Sequence, residues 1–113
     1  MADHCIFCKI VNREMPSKIV YEDEQFLAFD DIHPAAPVHV LIIPKAHVDS
    51  VDEVPAGQTV ISMLSDRAVY IAKQLGLREG YRLVINNGDN GGQTVYHLHL
   101  HLLGGRFMTW PPG

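Results

Sequence analysis

The chain has 113 residues, 47% hydrophobic and 19% charged, with a formal net charge of −4. That length holds one hydrophobic core, so residues 1–113 are expected to form a single domain. The acidic balance argues against general nucleic-acid binding, which needs a basic face, and no apolar run reaches the ~18 residues that would span a membrane. Met1-Ala-Asp-His-Cys5 has neither the basic nor the apolar stretch of a signal peptide, so the expected location is the cytoplasm, where Cys5 and Cys8 stay reduced.

Along the chain, Asp3 can cap a short helix carrying Ile6, Phe7, Ile10 and Val11 on its apolar side and ending before Pro16. Lys18–Glu22 and Gln25–Asp30 read as a β-hairpin about the acidic turn Asp23-Glu24. Two prolines, Pro34 and Pro37, mark residues 31–37 as a loop. Val38–Ile43 is an apolar strand interrupted by His39 and stopped by Pro44. Ser50-Val-Asp-Glu53 has the form of a capping box ahead of the main helix. That helix is predicted over Gly57–Leu75, with Val60, Leu64, Ala68, Ile71 and Leu75 as its buried stripe and Gly76 as its left-handed cap. Tyr81–Asn86 is a further strand, Asn87–Gly92 a glycine-rich loop, and Val95–Leu103 a final strand. The tail from Gly104 to Gly113 is extended. This order predicts an α+β fold: an antiparallel sheet of about five strands, with one long and one short helix on one face.

The final strand carries the chemistry. In His97-Leu-His-Leu-His101, strand alternation sends the three imidazoles to one face and Leu98, Leu100 and Leu102 to the other. Three unpartnered imidazoles are expensive to bury, at about 1–3 kcal/mol each. Same-face neighbours lie about 7 Å apart. They can tilt toward a metal, or line up along a substrate as nucleophile, orienter and acid. The preceding Asn86-Asn-Gly-Asp-Asn-Gly-Gly-Gln-Thr94 is either a hairpin loop using glycine for positive φ or a cradle of amides for an anion. Next to the histidines, the cradle is the better reading, with Asn86, Gln93 and Thr94 as neutral donors.

His97-Leu-His-Leu-His101-Leu-Leu resembles the signature of the histidine triad family. Gly91-Gly-Gln-Thr-Val-Tyr-His97 before it, and Leu103-Gly-Gly-Arg106 with Met108-Thr-Trp-Pro-Pro-Gly113 after it, resemble the Hint branch, the nucleoside phosphoramidases. The similarity runs in order through Ile6-Phe-Cys-Lys-Ile10, Phe29-Asp-Asp-Ile32, Ala36-Pro-Val-His39 and Ile43-Pro-Lys-Ala-His47. It implies a HIT-like fold and nucleotidyl transfer to a histidine. His99 would attack the α-phosphorus of a purine nucleoside phosphoramidate, or of an acyl or aminoacyl adenylate, and water would then release the nucleoside monophosphate. His101 would assist the leaving group, with Thr94, Asn86 and loop amides stabilising the phosphoryl oxygens. His97 and His39 complete the catalytic group, although a histidine on an apolar strand such as His39 is more often a satisfied core residue. Asp31 would accept from the ribose hydroxyls, or serve simply as a turn residue before Pro34. Phe29 and Ile32 would offer a slot for the base. Gln93 and Trp110 complete the nucleotide site, the tail reaching the partner's site in a homodimer.

Cys5, Cys8, His47 and His97 form a candidate tetrahedral zinc set, structural rather than catalytic, since the implied chemistry needs no cofactor. A thioredoxin-like redox pair would need a preceding strand for which residue 5 leaves no room, whereas two inert buried thiols remain an alternative. Thr94 stands where serine is common in relatives, and Asp30, Phe107 and Thr109 also depart from the familiar pattern. Two other functions compete with the leading one: a hydrolase binding a metal through His97, His99 and His101, and a nucleotide-binding adaptor with vestigial hydrolysis.

Overall fold

A computed structural model of the chain describes residues 5–113. Helix α1 (Ile6–Val11) precedes the hairpin β1 (Ile19–Glu22) and β2 (Phe26–Asp30), followed by β3 (Val38–Pro44), α2 (Val60–Gln74), β4 (Tyr81–Val84) and β5 (Leu100–Gly104). The five strands form one antiparallel sheet in the order β1-β2-β3-β5-β4. The predicted class and element order hold, matching an α+β domain with one long and one short helix.

The two helices lie on opposite faces of the sheet, not on one. Phe26, Ala28, Val40, Ile42, Leu100 and Leu102 pack against Leu64, Ala68, Ile71 and Ala72 of α2. Leu27, Phe29, Leu41 and Ile43 turn the other way and pack with Cys5, Phe7, Cys8 and Ile10 at α1. The reason is in the strands: Phe26–Phe29 and Val40–Ile43 are apolar at every position, so both faces need cover. Each fully buried Leu or Ile here stabilises the fold by roughly 1.5–3 kcal/mol.

Several boundaries move. The expected Asp3 cap lies outside the described residues; Cys5 occupies the N-cap position of α1, its Sγ accepting from the Cys8 N–H at 3.1 Å. No capping box forms at Ser50. Val51–Glu53 is an isolated 3₁₀ turn without a side-chain cap, and α2 begins only at Val60. The far end of α2 closes as predicted. Gly76, at φ +74°, donates to the Lys73 carbonyl at 3.1 Å while Leu77 donates to that of Ala72 at 3.0 Å. Strand β4 ends at Val84, and β5 begins at Leu100 rather than Val95.

The β1–β2 turn is tied to α2 through Asp23. One carboxylate oxygen accepts from the Gln25 and Phe26 N–H groups, both at 2.8 Å; the other accepts from Tyr21 Oη at 2.6 Å and Arg67 Nε at 3.0 Å. The Arg67 guanidinium also covers the Phe26 ring, 4.6 Å from its centroid. Burial works against the Asp23 charge, but the Tyr21 hydroxyl, the two amides and Arg67 outweigh it and bring the carboxyl down to about 2.

Candidate functional site

Residues 95–99 lie outside the sheet ladder, yet they keep the strand's parity. Leu98 joins the α2 side of the core, while His97 and His99 face α1. The imidazole face is therefore roofed rather than open: His97 is 0% exposed and His99 6%. The roof is Phe7. Its ring meets that of His99 edge-on, with centroids 5.2 Å apart, and that of Phe29 at 5.3 Å. Phe7 was not singled out from sequence, although a signal existed: if Cys5 and Cys8 share a site with His97, one of the two residues between them, Ile6 or Phe7, must lie across the histidines.

At one end of the row, four donors converge. Cys5 Sγ lies 3.2 Å and Cys8 Sγ 3.5 Å from His97 Nδ1. His47 Nδ1 lies 3.3 Å from Cys8 Sγ and 3.1 Å from His97 Nδ1. All four atoms fall within 4.8 Å of one another. A tetrahedral zinc with ordinary Zn–S and Zn–N bonds has ligand–ligand edges of about 3.3–3.8 Å, close to these separations. The second shell agrees. His97 Nε2 donates to the Pro44 carbonyl at 2.8 Å, and His47 Nε2 to Asp49 Oδ1 at 2.6 Å, which leaves both Nδ1 atoms as lone pairs aimed at one point. Facing lone pairs at 3.1 Å repel unless a cation sits between them, so the donor set fits a metal. Burial, reinforced by Cys5, pushes the Cys8 thiol up to about 11.

The other two triad histidines have opposite tautomers, each fixed by a backbone group. His99 Nδ1 donates to the His97 carbonyl at 2.7 Å, so Nε2 carries the lone pair. At the far end, the Ala35 N–H donates to His39 Nδ1 at 3.0 Å. His39 must then be protonated at Nε2, which lies 2.9 Å from His101 Nδ1 and 3.4 Å from Asp31 Oδ2. His101 in turn carries its proton on Nε2, the one buried side-chain polar atom without a partner among the described residues. The two rings stand 5.0 Å apart, an acceptor beside an unused donor. Burial pushes His97 and His101 down to about 4, and lowers His99 and His39 against the opposing pull of the His97 carbonyl and Asp31 respectively. All four imidazoles are neutral at pH 7.

This pattern contradicts the reading of the triad as three ligands of one metal. His97 faces the cysteines, His99 is held by a carbonyl, and the His39 Nε2 proton occupies the space between His39 and His101. His97 is likewise too enclosed for proton transfer, with both ring nitrogens committed.

The remaining predicted residues separate. Asp31 Oδ1 accepts from the His33 N–H at 2.8 Å, the turn role, while its other oxygen faces His39. Phe29 is buried beneath Phe7 and forms a floor rather than a slot, whereas Ile32 is 83% exposed. Gln93 is a staple of the loop: its Oε1 accepts from the Gly88 N–H at 2.9 Å and its Nε2 donates to the Asp49 and Val95 carbonyls. That commitment removes it from the free donors expected for a phosphate. Asn86 is half-buried at the loop's start. Thr94 lines a cleft of about 340 Å³ with Cys5, His47 and Tyr96, at the cysteine end of the row. Trp110 lies over Arg82 of β4, 5.8 Å from ring centroid to guanidinium, and the Arg82 side chain donates to the Thr109 carbonyl at 2.8 Å. Among the described residues, no helix is long and apolar enough to cross a membrane.

A buried histidine row, roofed by a short helix and closed by a mixed thiol–imidazole cluster, defines a class, and comparison with known proteins gives the same one. The model of the HIT domain matches residues 12–108, and the chain belongs to the HIT domain family. It is 53% identical over 111 residues to the 14 kDa zinc-binding protein of Zea mays, covering 96% of this chain and 87% of that one. The crystal structure of a HIT family hydrolase from Legionella pneumophila Philadelphia 1 superimposes with a TM-score of 0.94 at 51% identity, covering 97% of this chain and all of that one. A zinc-bound histidine triad family protein from Mycobacterium smegmatis superimposes with a TM-score of 0.84 at 33% identity, covering 94% of this chain and 78% of that one.

Proposed function

We propose that the protein is a nucleotide hydrolase of the Hint branch. It would cleave purine nucleoside phosphoramidates, and acyl or aminoacyl adenylates, through a nucleotidyl-His99 intermediate. The observation that carries this reading is the complementary pair of tautomers. His99 Nε2 offers a lone pair with no partner among the described residues, and the neighbouring His101 Nε2–H is a buried donor awaiting an acceptor.

His99 Nε2 attacks the α-phosphorus, a P–N bond to the ring forms, and the bond to the amine or carboxylate breaks. Positive charge appears on the imidazole, and the Nδ1–H bonded to the His97 carbonyl disperses it. The His101 Nε2–H, held in that tautomer by His39 and Ala35, bonds to the bridging atom, and a departing amine takes up a proton from solvent that the later hydrolysis returns. Water then attacks phosphorus, releasing the nucleoside monophosphate and a proton and restoring His99. Thr94, Asn86 and amides of the glycine loop stabilise the phosphoryl oxygens. The exposed Ile32 would face the base, with Phe29 beneath Phe7 as the floor behind it, and Asp31, whose Oδ2 is not used by the turn, would accept from the ribose. None of these steps draws on a cofactor. Cys5, Cys8, His47 and His97 would hold a structural zinc, which supplies a rigid cross-link and no open coordination position. The exposed Trp110 is accounted for if a homodimer carries each tail to the partner's site.

Rapid-quench labelling with α-labelled adenosine phosphoramidate tests the reading. Label should appear on the wild-type chain and vanish in His99→Ala and His99→Gly. Turnover that persists in either variant would overturn the assignment.

A further inference from the structure

We propose that Cys5, Cys8, His47 and His97, when they share a metal ion, position the nucleophile. They fix the tautomer and direction of His99 through the peptide between His97 and Leu98, and through Phe7. This rests on His99 being the attacking group.

The sheet does not hold that peptide. Ladder pairing in β5 begins at Leu100, with Ile42 opposite, so residues 97–98 lack the strand register that would orient them. The peptide has two hydrogen bonds instead, one on each side of a single plane. Its N–H, from Leu98, donates to the Val48 carbonyl at 2.7 Å. Its C=O, from His97, accepts the His99 Nδ1–H at 2.7 Å. A tilt of this plane that lengthens the first bond also turns the carbonyl that selects the tautomer of His99.

Both partners in the Val48–Leu98 contact sit beside donor residues. Val48 is flanked by His47, whose Nδ1 belongs to the cluster, and by Asp49, which holds the opposite nitrogen of that ring. Leu98 follows His97, whose two nitrogens lie on the cluster and on the Pro44 carbonyl. The separation of His47 from His97 therefore sets the separation of Val48 from Leu98. The third segment is α1. Cys5 and Cys8 are its contribution to the cluster, and Phe7 between them lies against the His99 ring at an interplanar angle of 85°. One ion at four donors would thus hold three chain segments, each touching His99 or the peptide that orients it. Without the ion, the links are weak thiol hydrogen bonds and a contact between two imidazole lone pairs.

The test compares zinc-loaded protein, chelator-treated protein and protein with zinc restored, each labelled with ¹⁵N at the histidine rings. The loaded form should show His99 as one species, protonated at Nδ1. In the stripped form, at a temperature where far-UV circular dichroism remains native, the His99 nitrogens should move toward an average of two tautomers. For adenosine phosphoramidate, kcat should fall by about tenfold or more while KM stays within about threefold, and zinc should restore both. If the stripped chain unfolds, His47→Asn takes its place, since three remaining ligands still retain zinc. That variant should shift the His99 nitrogens in the same direction. If the cluster merely adds stability, its loss would lower the melting temperature and leave those resonances alone. His99 nitrogens indifferent to metal and to His47→Asn, with α-label still trapped on the loaded protein, refute the coupling alone. Loss of the label from the loaded wild type refutes the nucleophile and the coupling together.

Discussion

Asp23→Asn isolates one charge at the junction of the hairpin and α2. The asparagine oxygen can still accept from Gln25 and Phe26, so the turn is preserved, but Arg67 loses its counter-ion and Tyr21 faces a neutral amide. Against the effect of burial, Tyr21, the two turn amides and Arg67 hold the Asp23 carboxyl at about 2 in the fold, compared with an ordinary 3.8. That depression corresponds to about 2 kcal/mol of stability, present above the unfolded pKa and lost as pH falls through the folded one. With these values, roughly half of the contribution is gone by pH 3. The side chain is about a quarter exposed, so screening trims the figure only modestly. Urea unfolding followed by circular dichroism at pH 7 and pH 3 measures the gap between wild type and variant. The gap should be about 2 kcal/mol at pH 7, with a melting point lower by roughly 8 °C or more, and about half as large at pH 3. A gap unchanged between the two pH values would mean that packing, not charge, holds the corner, and the electrostatic reasoning would be wrong.

His39→Leu should lower kcat by about 10–100-fold by freeing the tautomer of His101, while His39→Gln, whose amide can still donate to His101 Nδ1, should recover part of the loss; steady-state kinetics on both variants decides. Gly91→Ala should impair turnover with little change in the melting point of the sheet, because its Cβ would collide with the Asn87 carbonyl oxygen and the loop must reshape to admit it. Equal activity in that variant would mean the loop's shape is irrelevant to the reaction. Gln93→Leu should cost about 1–3 kcal/mol by leaving the Gly88 N–H and the Asp49 and Val95 carbonyls without their partner, readable as a shift in urea midpoint.

What could be read from the residues depended on whether the signal was periodic or spatial. Alternation in residues 97–102 gave the correct faces even where no ladder forms, because the parity of an extended chain does not require hydrogen bonding. The stripe on α2 and the glycine that ends it were legible for the same local reason. The placement of the helices was not. Apolar residues at every position of Phe26–Phe29 and Val40–Ile43 already implied two covered faces, but counting helices does not say which face each will take. The start of α2 lies three residues past the expected Gly57, because Gly57 takes a left-handed φ of +85° and the helix forms only from Val60, while the capping-box spacing of Ser50 and Glu53 falls on a separate 3₁₀ turn. Gln93 was assigned to the substrate because an amide next to a glycine loop looks available; only the fold brings Asp49 within 2.7 Å of it. The tautomers of His99 and His101 lay beyond sequence reading altogether. They depend on the carbonyl of His97 and the amide of Ala35, and backbone groups carry no signature in the residue names.

Because α2 and α1 occupy opposite sides of the sheet, the protein has a thick side and a thin one. The fifteen-residue helix closes the larger apolar cluster, and the six-residue helix closes the smaller one over the imidazoles. The sheet behaves as a bulkhead between them. Substitutions in the short helix therefore act first on the imidazole side, while the apolar cluster beneath α2 keeps its own separate set of partners.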